Sequence, residues 1–414
     1  MNNLAVDAAF RGSRPLRGHR FKRVLRRVEF RVGDDRGAQR LSLSSAGHLY
    51  KRGGASDRQQ ASEATEERSL RVAADQLVVN PMWLTGGSIA VSDVEGAVSP
   101  DYRVFEPERR EVDPRYLHHL LRSQPYRDQY NLFVRANTTF DRRIQQEDLD
   151  QLTLWLPTRQ EQTRIADFLD DRAARIDQII TSRQQQAKLV KARGGSEAAR
   201  LISNLGGAGP PLSAVAQIID TEHKTAPTVS HGGHWIAGTN AIRNGRLVAD
   251  QLRETDHETH LEWTVRGAPL PGDVLLTREA PVGEVALLSE ADPLVAIGQR
   301  VVLLKPRGVL LDSAFLRLVL MAGGIRQVID RASAGSLHPH LNMSDISRLR
   351  IPSLDTQGQA DLGGRHDRIL IEVAARASQL ARSITLLREY KQSLITAAVT
   401  GGLDVTTAGS GIPG

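Results

Sequence analysis

The second half of this chain repeats the first. Slid over the first half by a little under half the chain length, it returns a series of short matches in unchanged order. Ala74-Asp75-Gln76-Leu77-Val78-Val79 returns as Gly272-Asp273-Val274-Leu275-Leu276-Thr277. A glycine follows each (Gly87, Gly283), then an apolar run, Ile89-Ala90-Val91 or Val285-Ala286-Leu287. Tyr102-Arg103-Val104-Phe105-Glu106-Pro107 returns as Val301-Val302-Leu303-Leu304-Lys305-Pro306, and Asp113-Pro114-Arg115-Tyr116-Leu117 as Asp312-Ser313-Ala314-Phe315-Leu316. Asp148 to Leu152 matches Asp345 to Leu349, and the steps Leu156-Pro157 and Ile351-Pro352 follow. Each match is short; their common order at a nearly constant offset is what constrains the fold. Two copies this long are not a solenoid, which stacks many short repeats. They predict two similar domains, each followed by a similar connector.

Inside each copy, short β-rich runs alternate with Gly and Pro turn signals. Asp113 and Asp312 each stand as an N-cap before apolar residues at helical spacing: Tyr116, Leu117, Leu120 and Leu121 in one copy, Phe315, Leu316, Val319 and Leu320 in the other. Each copy is therefore α+β. The connectors differ in period. Ile165, Phe168, Leu169, Ile176, Ile179, Ile180, Ala187 and Val190 recur at helical steps, as do Ile369, Val373, Leu380, Ile384, Leu387, Leu394 and Ala398. Each connector can form a helix of roughly 60 Å at 1.5 Å per residue. One apolar seam on each asks for a partner. The simplest is the other helix, in an antiparallel coiled-coil-like pair; the alternative is that each helix packs on its own globular unit. Gly194-Gly195 predicts a kink or break in the first helix, and Gly363-Gly364 a delayed start of the second. The domains expected are 1–155 and 206–350, with helical spacers at 156–205 and 351–405 and a flexible tail at 406–414.

Composition narrows the chemistry. Lys plus Arg total 54 against 48 acidic residues, a net charge of +6. The excess is uneven: Arg11, Arg14, Arg17, Arg20, Lys22, Arg23, Arg26, Arg27 and Arg31 meet a single acid, Glu29, over that stretch. Such a surface suits a polyanion such as nucleic acid; a solubilising or disordered arm fits it equally. The absence of cysteine excludes disulfides and thiolate metal sites. There is no apolar signal-peptide core and no apolar run near the roughly 18–20 residues that span a bilayer. The expectation is a soluble cytoplasmic protein without a membrane partner.

At this point the residues resemble a family. Leu156-Pro157, then Glu161-Gln162, then Ile165-Ala166-Asp167-Phe168-Leu169-Asp170, is similar to the motif that opens the spacer helix of type I restriction-modification specificity subunits. Lys391 to Gly401 resembles the end of that family's second spacer. Leu270 to Arg278 with Val282-Gly283, and Val78 to Leu84 with Ser99-Pro100-Asp101-Tyr102, resemble its mid-domain signature. The likeness runs from about Arg17 to Val405. The second spacer departs from it, because Thr356-Gln357 stands where Glu-Gln is expected and the Ile-Ala-x-Phe-Leu-Asp run is missing. The resemblance implies two target-recognition domains, each reading half of a split site in double-stranded DNA, with the helices as a ruler. Readers on one face of B-DNA are centred about one turn, roughly 34 Å, apart. It implies two methyltransferase subunits docked on the helices through residues such as Glu161, Gln162, Ile165, Phe168, Leu169 and Leu394, and a motor-nuclease subunit for cleavage. It also implies that this chain binds no cofactor and has no catalytic residue, while its partners use S-adenosylmethionine, ATP and Mg²⁺.

Base edges are read chiefly by Arg, Asn and Gln, while Lys, Arg and Ser hold phosphates. The candidates in the first copy are Asn80, Tyr102, Arg103, Arg135, Asn137, Thr138, Arg142 and Arg143. In the second they are His223, Lys224, Thr225, Arg278, Gln299, Arg300, Ser336, His338 and His340. For any one of them a charged surface loop fits nearly as well. Asn80-Pro81-Met82-Trp83 resembles an adenine methyltransferase motif, but no glycine loop for a methyl donor precedes it and the repeat does not preserve it. Glu222-His223-Lys224 has a nuclease-like spacing without the carboxylate that should precede it. His231-Gly232-Gly233-His234 and His257-Glu258-Thr259-His260 lack zinc-helix spacing and read as satisfied surface histidines. The other readings that stay open are a self-sufficient nucleic-acid enzyme and a DNA-binding regulator with duplicated domains.

Overall fold

The structure, a computed structural model, describes residues 3–10, 16–33, 38–52, 67–134, 143–205, 209–221, 224–333 and 340–406. The chain divides into two compact units, Met1–Ser182 with Ser383–Gly414, and Arg183–Arg382. The boundary falls inside both long helices, Arg159–Ile202 and Thr356–Thr400.

Each unit is built on the same four-stranded antiparallel sheet. The first unit orders its strands Leu25–Val28, Arg103–Pro107, Leu77–Val79, Ile89–Val91; the second orders Ala216–Asp220, Val301–Pro306, Val274–Thr277, Val285–Leu287. The registers match as well: Val78 pairs with Val104 and Ala90, and Leu275 with Leu303 and Ala286. The inner strands carry runs of consecutive apolar residues, Leu77 to Val79, Val104-Phe105, Val274 to Leu276 and Val301 to Leu304, because both faces of the sheet are covered. Leu77, Val79 and Phe105 face one core with the helices, while Val78, Ala90 and Val104 face a second core under the small strands. In the second unit Val274, Leu276, Val302 and Leu304 face the helical side, and Leu275, Ala286 and Leu303 the other.

The arginine-rich segment is no arm from Arg17 onward. Arg17–Arg20 pairs with Thr153–Leu156, and Leu25–Val28 is an outer strand of the central sheet, so Phe21, Val24, Leu25 and Val28 are buried while the cations face solvent. Arg11 and Arg14 lie outside the described residues.

Both predicted caps form. Asp113 Oδ1 accepts the Arg115 N–H at 3.0 Å ahead of helix Pro114–Arg122, and Asp312 Oδ1 accepts the Phe315 N–H at 2.8 Å ahead of helix Ser313–Met321. A buried glutamine then ties each cap to a long helix. Gln162 Oε1 accepts the Asp113 N–H at 2.9 Å, and its Nε2 donates to the Glu111 and Pro157 carbonyls. In the second unit Gln359 Oε1 accepts the Asp312 N–H at 2.8 Å, and its Nε2 donates to the Leu310 and Leu354 carbonyls. Gln359, not Gln357, therefore stands in the place of Gln162. Position-by-position matching at Thr356-Gln357 misses it, because the equivalence lies in the backbone groups contacted.

A break at the first glycine pair and a delayed start at the second do not occur. The helix is unbroken across Gly194-Gly195, and the second long helix begins at Thr356, well before Gly363-Gly364. The first glycine of each pair marks a close approach. A Cβ on Gly194 would come within 2.5 Å of Val373 Cγ2, and one on Gly363 within 2.8 Å of the Ala314 Cβ. Within each unit the two long helices run antiparallel. In the first, Lys391 Nζ meets Asp177 Oδ2 at 2.6 Å, and Ile165, Ala166 and Leu169 share a core with Ile395, Ala398 and Val399. In the second, the Gly194–Val373 contact is the close point, and Ala198 and Ile202 join the sheet's core with Leu362 packed against it. Packing between helices and packing on the globular unit, posed as alternatives by the sequence, both occur.

Candidate nucleic-acid interface

In the second unit, backbone pairing at one end of the central sheet gathers candidate residues from three separate segments. Thr277 is opposite Val301, so the chain leaving one strand and the turn entering the next lie side by side. The Arg278 N–H donates to the Arg300 carbonyl at 2.8 Å, the Leu341 N–H donates to the Arg278 carbonyl at 3.0 Å, and Glu279 forms an antiparallel bridge with His340. Thr225 Oγ1 donates to Gln299 Oε1 at 3.1 Å, which attaches the chain after strand Ala216–Asp220. Lys224, Thr225, Arg300 and His340 are exposed there and Gln299 is half-buried. His340 Nε2 lies 2.9 Å from Asn342 Oδ1.

Arg278 is spent differently. Its Nη1 lies 3.0 Å from both oxygens of Asp220 and its Nε donates to the Leu341 carbonyl, so its side chain, 12% exposed, stitches the sheet end together. Arg300 pairs from Nε with Glu279 Oε2 at 3.0 Å.

The first unit repeats the arrangement with other side chains. The Ile144 N–H donates to the Pro81 carbonyl at 3.1 Å, as Leu341 does to Arg278. Arg143 reaches Asp101 Oδ1 at 3.4 Å and Met82 Sδ at 3.5 Å. Tyr102 is half-buried and closes a turn, its N–H donating to the Ser99 carbonyl at 3.0 Å with Asp101 at the third position. Asn80 faces inward: its Oδ1 accepts the Met82 N–H at 3.1 Å and fixes a tight turn that leaves Trp83 55% exposed. Arg103 is buried on its strand. Its pKa is held below the ordinary value by burial first, then by the neighbouring charges of Arg27 and Arg143. Arg135, Asn137, Thr138, Arg142, His223, Ser336 and His338 lie outside the described residues.

The residues expected to meet a protein partner divide. Gln162, Ile165 and Leu169 are buried in the first unit's own core, which removes them from any surface. Glu161, Phe168 and Leu394 are half-buried, and Phe168 carries the Arg172 guanidinium 5.4 Å above its ring.

The reading of these histidines as satisfied surface groups is corrected at His260, which is half-buried. His257 Nδ1 lies 3.2 Å from His234 Nε2, the His260 ring centroid is 4.8 Å from that of His234, and His260 Nδ1 is buried without a hydrogen-bond partner among the described residues. A strand and the helix His257–Thr264 fold them together across a sequence gap that spacing rules do not bridge. Among the described residues no group of three His, Cys, Asp or Glu side chains is placed to hold a metal, and no helix is long and apolar enough to cross a membrane. Glu279 and Asp220, which pair with Arg300 and Arg278, carry no motif of their own. Their signal in the sequence is only adjacency to, or register with, a candidate arginine.

No family model matches the sequence, and no curated protein matches it. Solved structures do. A chain from a type I R-M system, solved to describe its complex assembly and conformational transition, is 17% identical with a TM-score of 0.67, covering 95% of this chain and 100% of that one. The HsdS subunit of Thermoanaerobacter tengcongensis is 19% identical (TM-score 0.44; 94% of this chain, 97% of that one). The type I restriction-modification S subunit of M. genitalium is 12% identical (TM-score 0.36; 93% and 96%). The first of these shows that this chain shares its fold with that chain from a type I R-M system.

Proposed function

We propose that this chain is the DNA-specificity subunit of a type I restriction-modification complex. The observation that carries the reading is the repetition of one constellation: two units of the same sheet topology, each bringing the same three segments together at the same sheet end. A duplicated reader suits a target in two halves, each specified by base-edge contacts, with phosphate contacts from the cationic surface setting position. In this reading domains 1–155 and 206–350 recognise DNA. Arg143, Lys224, Thr225, Gln299, Arg300 and His340 face it, together with the candidates in segments 135–142, 222–223 and 334–339. The helical spacers 156–205 and 351–405 hold the half-sites at a set gap. They also seat two methyltransferase subunits, by way of Glu161, Phe168 and their neighbours, and a motor-nuclease subunit. The chain carries no catalytic residue or cofactor of its own; S-adenosylmethionine, ATP and Mg²⁺ act in the partners, in the cytoplasm.

The test is a map of N6-methyladenine across the host genome with and without this chain. The expected result is a methylated motif of two short defined halves separated by a constant gap, lost when the chain is absent. An unchanged methylation map would remove the reading.

A further inference from the structure

Arg300 and Glu279 form a built donor–acceptor pair whose chemistry specifies what it reads, given the DNA-binding role proposed above. Arg300 sits at the third position of a turn closed by the Val301 N–H on the Gly298 carbonyl, with φ at +74°. That backbone region favours glycine, and a non-glycine residue held there marks a functional constraint more often than chance. The Arg278 N–H grips the Arg300 carbonyl, and the bridge to His340 fixes Glu279. Two strand-end backbones, rather than a loose loop, therefore hold both side chains.

The ion pair uses Arg300 Nε and Glu279 Oε2 and leaves the two side chains 47% and 38% exposed. Among the described residues no protein group engages the Arg300 Nη atoms or Glu279 Oε1. A guanidinium fork thus stands beside a carboxylate acceptor on one rigid edge. A phosphate is a poor match, because the carboxylate lies within contact distance of the cation and repels a second anion. A G·C pair in the major groove is a good match. Guanine offers O6 and N7 as two acceptors for the fork, and cytosine offers its N4 amino group to the carboxylate. We infer that Arg300 and Glu279 together read one G·C base pair in the half-site of the second unit, with Glu279 as a specificity-determining residue.

The test uses the complex purified from its host through a tag on this chain, mixed with duplex DNA carrying a randomised core, and sequencing of the bound fraction. The variants are Glu279→Gln and Arg300→Lys, with Glu279→Asp and Arg300→Gln as second choices at the same exposed positions; thermal unfolding midpoints verify that each is folded. The expected result is a two-part motif for the unaltered complex. Both variants should relax preference at one shared G·C pair, by about tenfold or more, and leave the other half-site unchanged. If the motif is two-part but both variants select the same bases as strongly, or if the relaxed position is an A·T pair, this inference is overturned while the DNA-specificity reading stands. If the unaltered complex selects no sequence, both fall together.

Discussion

The two units seat their long helices with the same glutamine and part company within one turn. Beyond Gln162 the first unit buries Ala166 and Leu169 in its apolar core, and Asp170 meets His119 Nε2 at 2.8 Å. Beyond Gln359 the second unit places Gly363 and His366 at the same helical positions, and Asp367 meets the buried Arg317. What is kept is the contact with backbone N–H and C=O groups, which every fold of this kind must satisfy. What varies is side chain against side chain, where one unit can exchange an apolar contact for a polar one as long as the space is filled. A motif defined by residue identity therefore disappears in the second unit, although the structural job it describes is still done.

The largest effect expected from breaking this likeness comes at the glutamines. Gln359→Leu would strand the Asp312 N–H and the Leu310 and Leu354 carbonyls. A buried orphan costs about 1–3 kcal/mol each, so a loss of roughly 3 kcal/mol or more is expected. Gln162→Leu should cost the first unit as much. Urea unfolding followed by tryptophan fluorescence separates the two, since Trp83 and Trp155 report the first unit and Trp235 and Trp263 the second. A loss below about 1 kcal/mol in either unit would end the equivalence.

His366 should make the second unit acid-sensitive. Burial, and then the charge of Arg317, push its pKa from 6.5 down to about 4. The folded state keeps it neutral, so between those values the unfolded chain binds more protons. Stability is complete above about pH 6.5 and declines by about 3 kcal/mol as pH falls to about 4. His366→Leu, which copies Leu169 of the first unit, should flatten that decline when unfolding is measured across the window. An unaltered pH dependence would show that another group controls it.

The glycine pairs give smaller and opposite effects. Gly363→Ala and Gly194→Ala push a methyl into Ala314 and Val373 and should cost about 1–3 kcal/mol despite better helix propensity. Gly364 and Gly195 face open space, with nothing within 4 Å of where a methyl would stand, so alanine at either should gain up to about 1 kcal/mol. Thermal unfolding of the four variants ranks them, and equal signs within a pair would refute the close-approach account. The smallest change should come from Arg143→Lys. The first unit has the charges of the second unit's turn exchanged, with Asp101 on the turn and Arg143 opposite at a longer 3.4 Å and more open to solvent. Its base preference, read by the same selection from randomised duplex, should weaken less than that of Arg300→Lys.

Much of the fold was legible in the residues alone. Leu77-Val78-Val79 and Val301-Val302-Leu303-Leu304 could be read as strands because each is a short β-rich apolar run between turn signals. Asp113 and Asp312 could be read as caps because a cap is a local device. The site was less legible. Arg278 has the composition of a base reader, but Asp220 and the Leu341 carbonyl occupy it, and that is set by a strand pairing far along the chain. His234, His257 and His260 meet only because a strand and a helix from different segments pack together.

The sequence by itself determined the duplication, the α+β character of each copy, the two long helices and the segments that meet at the sheet end. These follow from periodicity, capping and repetition, which act over a few residues or compare the chain with itself. Only the tertiary structure decided which glutamine does the work of Gln162, which glycines are contacts and which are open, and which arginine remains available at the sheet end. Each of those depends on the distance between groups remote in sequence, and a hydrogen bond or a van der Waals clash changes sign within a fraction of an ångström.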